Sequence, residues 1–293
     1  YESWVGFVDV RADGARVANL TLKDLHVEGG DYVGGIAGYG TDLVLDNCHV
    51  SGEISGTAET GGLIGVDQHG ELESCSFTGS VRGTGNYIGG LAGQVYHDGE
   101  GTMRNCTVDA DLVGGGYYVG GLAGYTESCD IAGCTVDAFV NSSDYHAGGL
   151  IGQAAYGALW SRVSDCTTSG TVLASGNYLG GLIGDTYKIH VNDSHSSCEV
   201  TSESGSVGGL IGYITYSTVD NSTASGDVKS PDGSVIGGLV GYFQSGWMNY
   251  SSASGDVEGL GSCGGFAGGL EDSAVKYCDA GGSVASGGTY AGG

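Results

Sequence analysis

One pentapeptide decides most of what this chain can fold into. Gly-Gly-(Leu/Ile/Phe)-(Ala/Ile/Val)-Gly begins at Gly34, Gly61, Gly89, Gly120, Gly148, Gly180, Gly208, Gly237 and Gly264, with a truncated copy at Gly292. The steps are 27, 28, 31, 28, 32, 28, 29, 27 and 28 residues, and a degenerate copy from Val5 to Asp9 precedes the first by 29. A period of this size sustained over a whole chain means supersecondary units that bury their apolar faces on one another. Residues 1–293 therefore read as a single solenoid without a second domain.

Inside each unit the pattern has period two. An apolar position holds Leu45, Leu72, Met103, Ile131 and their equivalents, and three residues later comes a small-residue column. That column holds Cys48, Cys75, Cys106, Cys134 and Cys166, then Ser194, Ser222 and Ser251, then Cys278. Two residues further lie Val50, Phe77, Val108, Val136, Thr168, Ser196, Ala224, Ala253 and Ala280. Alternation of this kind marks half-buried strands, and helical periodicity is absent. The expected fold is all-β: a parallel β-helix (β-solenoid) of about ten coils of roughly 28 residues, right-handed by the usual chirality of parallel connections. Coils stacked at about 4.7–4.9 Å would make a rod of roughly 45–50 Å. The glycine clusters are expected either to supply corners with positive φ or to let two walls approach closely. The longer steps after Gly89 and Gly148 predict loop insertions there.

The chain resembles the GLUG-repeat proteins, named for a Gly-Leu-apolar-Gly core. The matching stretches are GGLIG at Gly61–Gly65, Gly148–Gly152, Gly180–Gly184 and Gly208–Gly212, GGLVG at Gly237–Gly241, and the trailing NSTASGDV from Asn221 and YSSASGDV from Tyr250. The resemblance implies a place in large exported bacterial or archaeal surface proteins, including adhesin-like proteins and some immunoglobulin-cleaving metalloproteases. There such repeats are accessory rather than catalytic segments. So many cysteines in the ladder column depart from that pattern.

Charge narrows the partners. Nine Lys and Arg against 34 Asp and Glu give a formal charge of -25, which disfavours nucleic acid, because phosphate binding needs clustered cations. No apolar run is long enough for a membrane-spanning helix, so direct membrane insertion is not expected.

The cysteines lie along a line rather than converging on a point, and no CxxC occurs, so neither a metal nor a cofactor is expected. They read as small buried fillers interchangeable with Ser194 and Ser222. Disulfides between adjacent coils stay open as an alternative, although parallel Cβ atoms sit farther apart than the usual ~3.5–4.5 Å. Cys278 belongs to the same structural ladder, and Cys263 takes a core position. Paired carboxylates such as Asp109 and Asp111 alternate outward on one strand and read as a solvated face. The seven histidines form no HExxH, and no catalytic site is expected. The Ser and Thr beside the cysteine column make a hydroxyl-rich face that acids and His interrupt, unlike an ice-binding lattice.

Tyrosines flank the glycine corners: Tyr32, Tyr87, Tyr118, Tyr178 and Tyr290 just before, Tyr39, Tyr125, Tyr213 and Tyr242 just after. The first five are candidate surface-binding residues for a sugar or a partner, though such rings also serve to cover the backbone beneath them. Of six Asn-x-Ser/Thr sequons, five lie within two residues before the small-residue column, where a turn or amide ladder explains them. Asn141, between strands, is the candidate glycosylation site.

The functional expectation is a non-enzymatic structural or adhesive rod, stalk or fibre, secreted or at the cell surface. The alternative is a carbohydrate-active or carbohydrate-binding β-helix. Uncapped solenoid ends expose parallel edges, so the expected partners are neighbouring coils of a longer chain or head-to-tail copies, with glycans as further candidates.

Overall fold

The computed structural model describes residues 4–7, 12–155, 160–288 and 290–292. Val8 and Asp9 of the degenerate first copy and Gly293 of the truncated last one lie outside the described residues. Among these residues there is no helix, and the strands form three sheets in which every pairing is parallel. Each coil, designated here by the glycine pair that opens its corner, contributes to all three walls, and the chain is a β-solenoid of about ten turns set about 28 residues apart.

The first wall is a short strand ending at the glycine pair, as in Tyr32–Gly34, Val119–Gly120 and Ser206–Gly208. The second begins just past the corner and is made of two segments, as in Ala37–Thr41 and Val44–Asp46. The third follows the small-residue column, as in Thr107–Gly114. In the third wall the register is kept from coil to coil beyond His49, as Thr107 pairs with Thr135, which pairs with Thr167, which pairs with His195; before it, the strand Thr21–Glu28 is shifted between Leu22 and Leu25. A slip by one residue would turn the whole apolar set outward, so the period-two pattern fixes this register.

The glycine pairs act through closeness, since none of them has positive φ. A Cβ on Gly34 would lie 2.2 Å from the Ala37 carbonyl oxygen and 2.6 Å from the Ile64 Cα of the next coil; one on Gly121 would lie 2.0 Å from the Gly149 oxygen. No other residue fits where two coils and a corner meet. Positive φ falls instead in other columns: on the residue before the small-residue column (Asn19, Asn47, Ser74, Asn105, Gly133, Asp165, Asp193, Asn221, Tyr250 and Tyr277, with φ between 47° and 65°), between the two segments of the second wall (among them Asp42, His69, Lys188, Tyr216, Ser245 and Asp272), and at Tyr87, Tyr118 and His146 just before the corner. Asn, Asp and Gly take that conformation most readily.

The predicted insertion after Gly89 is present. The second wall bulges between Tyr96 and Gly101, opposite Glu127 and Cys129. The extra residues after Gly148 fall largely at 156–159, outside the described residues.

Candidate binding face along the glycine corner

The inward faces of all three walls meet in one apolar core that includes Leu63, Leu91, Leu122, Leu150, Leu182, Leu210 and Leu239, one per coil and each fully buried. Cys48, Cys75, Cys106, Cys134 and Cys166 lie in this core and are unpaired, Cys278 is half-buried, and Cys263 is a core residue. Each column thiol donates to the carbonyl two residues before it, as Cys106 Sγ does to Arg104 at 3.2 Å. Neighbouring thiols also meet along the column. Hydrogen bonding to Cys106, and then burial, push the Cys75 thiol well up, and Cys134 is raised in the same way. The same bonds draw Cys106 downward, but a lone thiolate in an apolar column is the costlier state, so the row is held as thiols.

The serines repeat this geometry with better donors. Ser194, Ser222 and Ser251 each donate to the carbonyl two residues back at 2.9 Å. Their oxygens accept the backbone N–H of the preceding coil's column residue at 3.2 Å in Cys166→Ser194, Ser194→Ser222 and Ser222→Ser251. Among the described residues, no group of three or more His, Cys, Asp and Glu is placed to hold a metal ion, and no helix is long and apolar enough to cross a membrane.

Outside the corner the side chains form two adjacent columns. The first, on the strand before the glycines, runs Tyr32, Glu59, Tyr87, Tyr118, His146, Tyr178, Ser206, Val235, Ser262 and Tyr290. The second, just past the corner, runs Tyr39, Val66, Gln94, Tyr125, Gln153, Asp185, Tyr213 and Tyr242. In the first column Tyr87 stacks on Tyr118 with centroids 5.0 Å apart, Tyr118 on His146 at 4.9 Å, and Tyr178 lies 5.1 Å beyond, tilted by 41°. Tyr125 sets its edge against both Tyr87 and Tyr118 at 5.8 and 5.7 Å. The structure thus brings Tyr87, Tyr118 and Tyr178 into one stack. Tyr32 packs instead against Trp4 and Tyr39, and Tyr290, 71 % exposed, is separated from the stack by Ser206, Val235 and Ser262. Rings stacked along the axis spend their faces on each other and on the glycine backbone, leaving edges outward.

Polar groups sit among these rings. Burial raises the Asp185 carboxyl to about 6, against a hydrogen bond from Gln153 Nε2 at 2.6 Å that lowers it. Burial likewise lowers His146 to about 4. Its Nδ1 lies 3.6 Å from Asp185 and has no hydrogen bond, so at neutral pH the imidazole is uncharged and the two are not an ion pair. Neither residue stands out in the sequence; the one signal is that each takes a place in a column where Tyr recurs. Tyr125 donates to Glu127 at 3.0 Å, Tyr213 to Gln244 at 3.0 Å and Tyr242 to Glu271 at 2.6 Å.

Asn141 is not in a loop. It is half-buried near the end of the strand Thr135–Ser142, with Val113 and Leu173 as its register neighbours. The asparagines before the small-residue column form the ladder expected of them: Asn47 donates to Asn19 at 2.7 Å, Asn105 to Glu73 at 2.8 Å, and Asn221 to Asp193.

Three parallel walls, a glycine-cornered coil and a continuous ladder core define the class: a parallel β-solenoid repeat protein. The family model described as the GLUG motif matches residues 84–113, 115–141, 143–173 and 203–229. The chain thus carries four GLUG repeats between residues 84 and 229. No curated protein and no solved structure matches it.

Proposed function

We propose that this chain is a structural rod of an exported surface protein, one that spans distance and presents a face rather than converting a substrate. The observation that carries the reading is the unbroken inter-coil ladder: each corner amide finds a carbonyl one coil away, as Leu122 N does to Leu150 O and Leu150 N to Leu182 O, both at 2.8 Å. A body held this way is stiff along its axis, which suits a stalk. The GLUG repeats support placement at the cell surface, and a charge of -25 keeps such a rod soluble and free of polyanions. The buried thiols and the hydrogen-bonded Asn ladder are accounted for by packing, which favours a non-catalytic role. In the last coil, Phe266, Val275, Cys278 and Val284 are only partly covered. The partner we propose for this face is a solenoid of the same kind, a second copy meeting it end to end.

Negative-stain electron microscopy of the purified chain tests the reading. Rods about 45–50 Å long, alone or joined end to end, are the expected result. Isometric particles would overturn it.

A further inference from the structure

The two outer columns change character along the rod. Around Tyr125 the first column is aromatic, and the Tyr125 ring is edge-packed by Tyr87 and Tyr118. Beyond Tyr178 the first column shrinks to Ser206, Val235 and Ser262, while the second keeps Tyr213 and Tyr242. These two rings are parallel within 7°, with centroids 5.6 Å apart, an offset stack in which each covers only part of the other. Tyr178, tilted by 50° at 5.0 Å from Tyr213, closes one end. The missing aromatics leave a recess of about 440 Å³ whose lining includes Tyr178, Ser206, Tyr213, Val235, Tyr242 and Glu271.

Its rim is a hydrogen-bonded chain. Tyr213 donates to Gln244 Oε1, and both Gln244 Nε2 and Tyr242 donate to the same Glu271 oxygen, at 3.1 and 2.6 Å. The other carboxylate oxygen and the phenols remain to meet further hydroxyls. The outward ring edges of Tyr213 and Tyr242 beside a fixed carboxylate and amide suit the C–H groups and vicinal hydroxyls of a pyranose. Among the described lining residues there is no Lys or Arg, and the net charge repels anions, so uronic or sialic acids and phosphates do not fit.

We propose that this recess binds a neutral oligosaccharide of two to three sugars. The proposal rests on the surface-rod reading and gives that rod a ligand class.

Saturation-transfer difference NMR on the full chain tests it, with cellotriose, maltotriose and β-1,4-galactotriose as neutral probes and trigalacturonate as the anionic one. At least one neutral trisaccharide is expected to receive saturation at its ring protons. Its affinity should fall at least tenfold in Tyr213→Ala and in Tyr242→Ala. Val235→Tyr, which refills the shrunken column as in the coils before it, should lose as much while unfolding at the same or higher temperature. Tyr118→Ala, in the filled stretch, should bind within twofold of the parent. Saturation of none of the neutral probes, unchanged binding in Val235→Tyr, or tighter binding of trigalacturonate would each overturn the proposal. Rods seen by microscopy alongside such a failure would leave the rod reading standing and remove only the ligand.

Discussion

The cysteine half and the serine half of the rod share one backbone ladder and fill it differently. From His49 to Ala174 the third wall is a run of unbroken eight-residue strands, such as Ser76–Gly83 and Thr135–Ser142. Behind each lies a thiol and then, as far as Val136, a large side chain: Val50, Phe77, Val108 or Val136, all buried. From His195 onward each strand is split, as in His195–Ser196 with Glu199–Ser202, and Thr223–Ala224 with Val228–Ser230. Here the small column is serine as far as Ser251, with Cys278 in the last coil, and the next core residue is Ser196, Ala224 or Ala253. The split is spanned by an aspartate ladder: Asp227 accepts the Asp256 N–H at 2.9 Å and Asp256 accepts the Ser283 N–H at 2.7 Å. The first half is held by volume, whereas the second trades volume for hydrogen bonds that a thiol makes poorly.

If that contrast is right, the largest effect comes from the corners. A methyl on Gly121 meets both the Gly149 oxygen at 2.0 Å and Val136 Cγ1 at 2.6 Å; on Gly209 it meets the Gly238 oxygen at 2.2 Å but only the Ala224 Cβ, at 3.0 Å, beyond it. Urea titration should show Gly121→Ala costing more than about 4 kcal/mol, and Gly209→Ala costing measurably less. Equal losses would mean that the filling behind the corner does not matter.

Next comes the filling itself. Phe77 is 1 % exposed, and Phe77→Ala should cost about 3–5 kcal/mol. Ser196→Ala, which removes the acceptor of the Cys198 N–H at 3.3 Å, should cost about 1 kcal/mol.

The cysteine half also carries a buried acid. Asp67 is fully buried, and burial, reinforced by Asp42 and opposed by the Gly70 backbone N–H, raises its carboxyl to about 8. The folded state therefore keeps a proton that the unfolded chain releases near 3.8, and stability falls as pH rises through that window. Asp185, raised to about 6, loses stability over the lower part of it. His146, lowered to about 4, gains stability from about 4 to 6.5, and the two roughly cancel. Between pH 6.5 and 8 Asp67 is left, and about 2 kcal/mol should be lost. Asp67→Asn should flatten the profile of unfolding free energy against pH; a slope that survives the substitution would assign it elsewhere.

The smallest expected change is the exchange of the columns. Cys134→Ser and Ser222→Cys should each shift stability by about 1 kcal/mol or less, because the same carbonyl two residues back accepts from either side chain. A large loss in one direction would show the halves to be less interchangeable than their backbones.

The architecture was legible because a glycine pair every 28 residues and a period-two core leave few alternatives. The same pattern accounts for Cys48, Cys75, Cys106, Cys134 and Cys166 lying in the core. The cause of the glycines was left open between conformation and closeness, because φ at a corner depends on its neighbours in space; Asn47 and Asn105 take the positive-φ turn. Asn141 looked like loop because its strand runs on to Ser142 through polar residues, and only pairing with the next coil makes it strand. The tyrosines were identifiable one by one. Which of them stack and which border a recess depends on Ser206 and Val235, whose small size means nothing until the columns are aligned.

The central claim is that equivalent residues climb one straight ladder, a rung per coil. Spin labels placed on ketone-bearing side chains, leaving the native thiols untouched, can read it by double electron–electron resonance. Labelled pairs at Thr107 and Thr223, four rungs apart, and at His49 and Thr223, six rungs apart, should give about 19 and 29 Å, in proportion to rung count. Distances that fail to grow with the number of coils between the labels would contradict the solenoid.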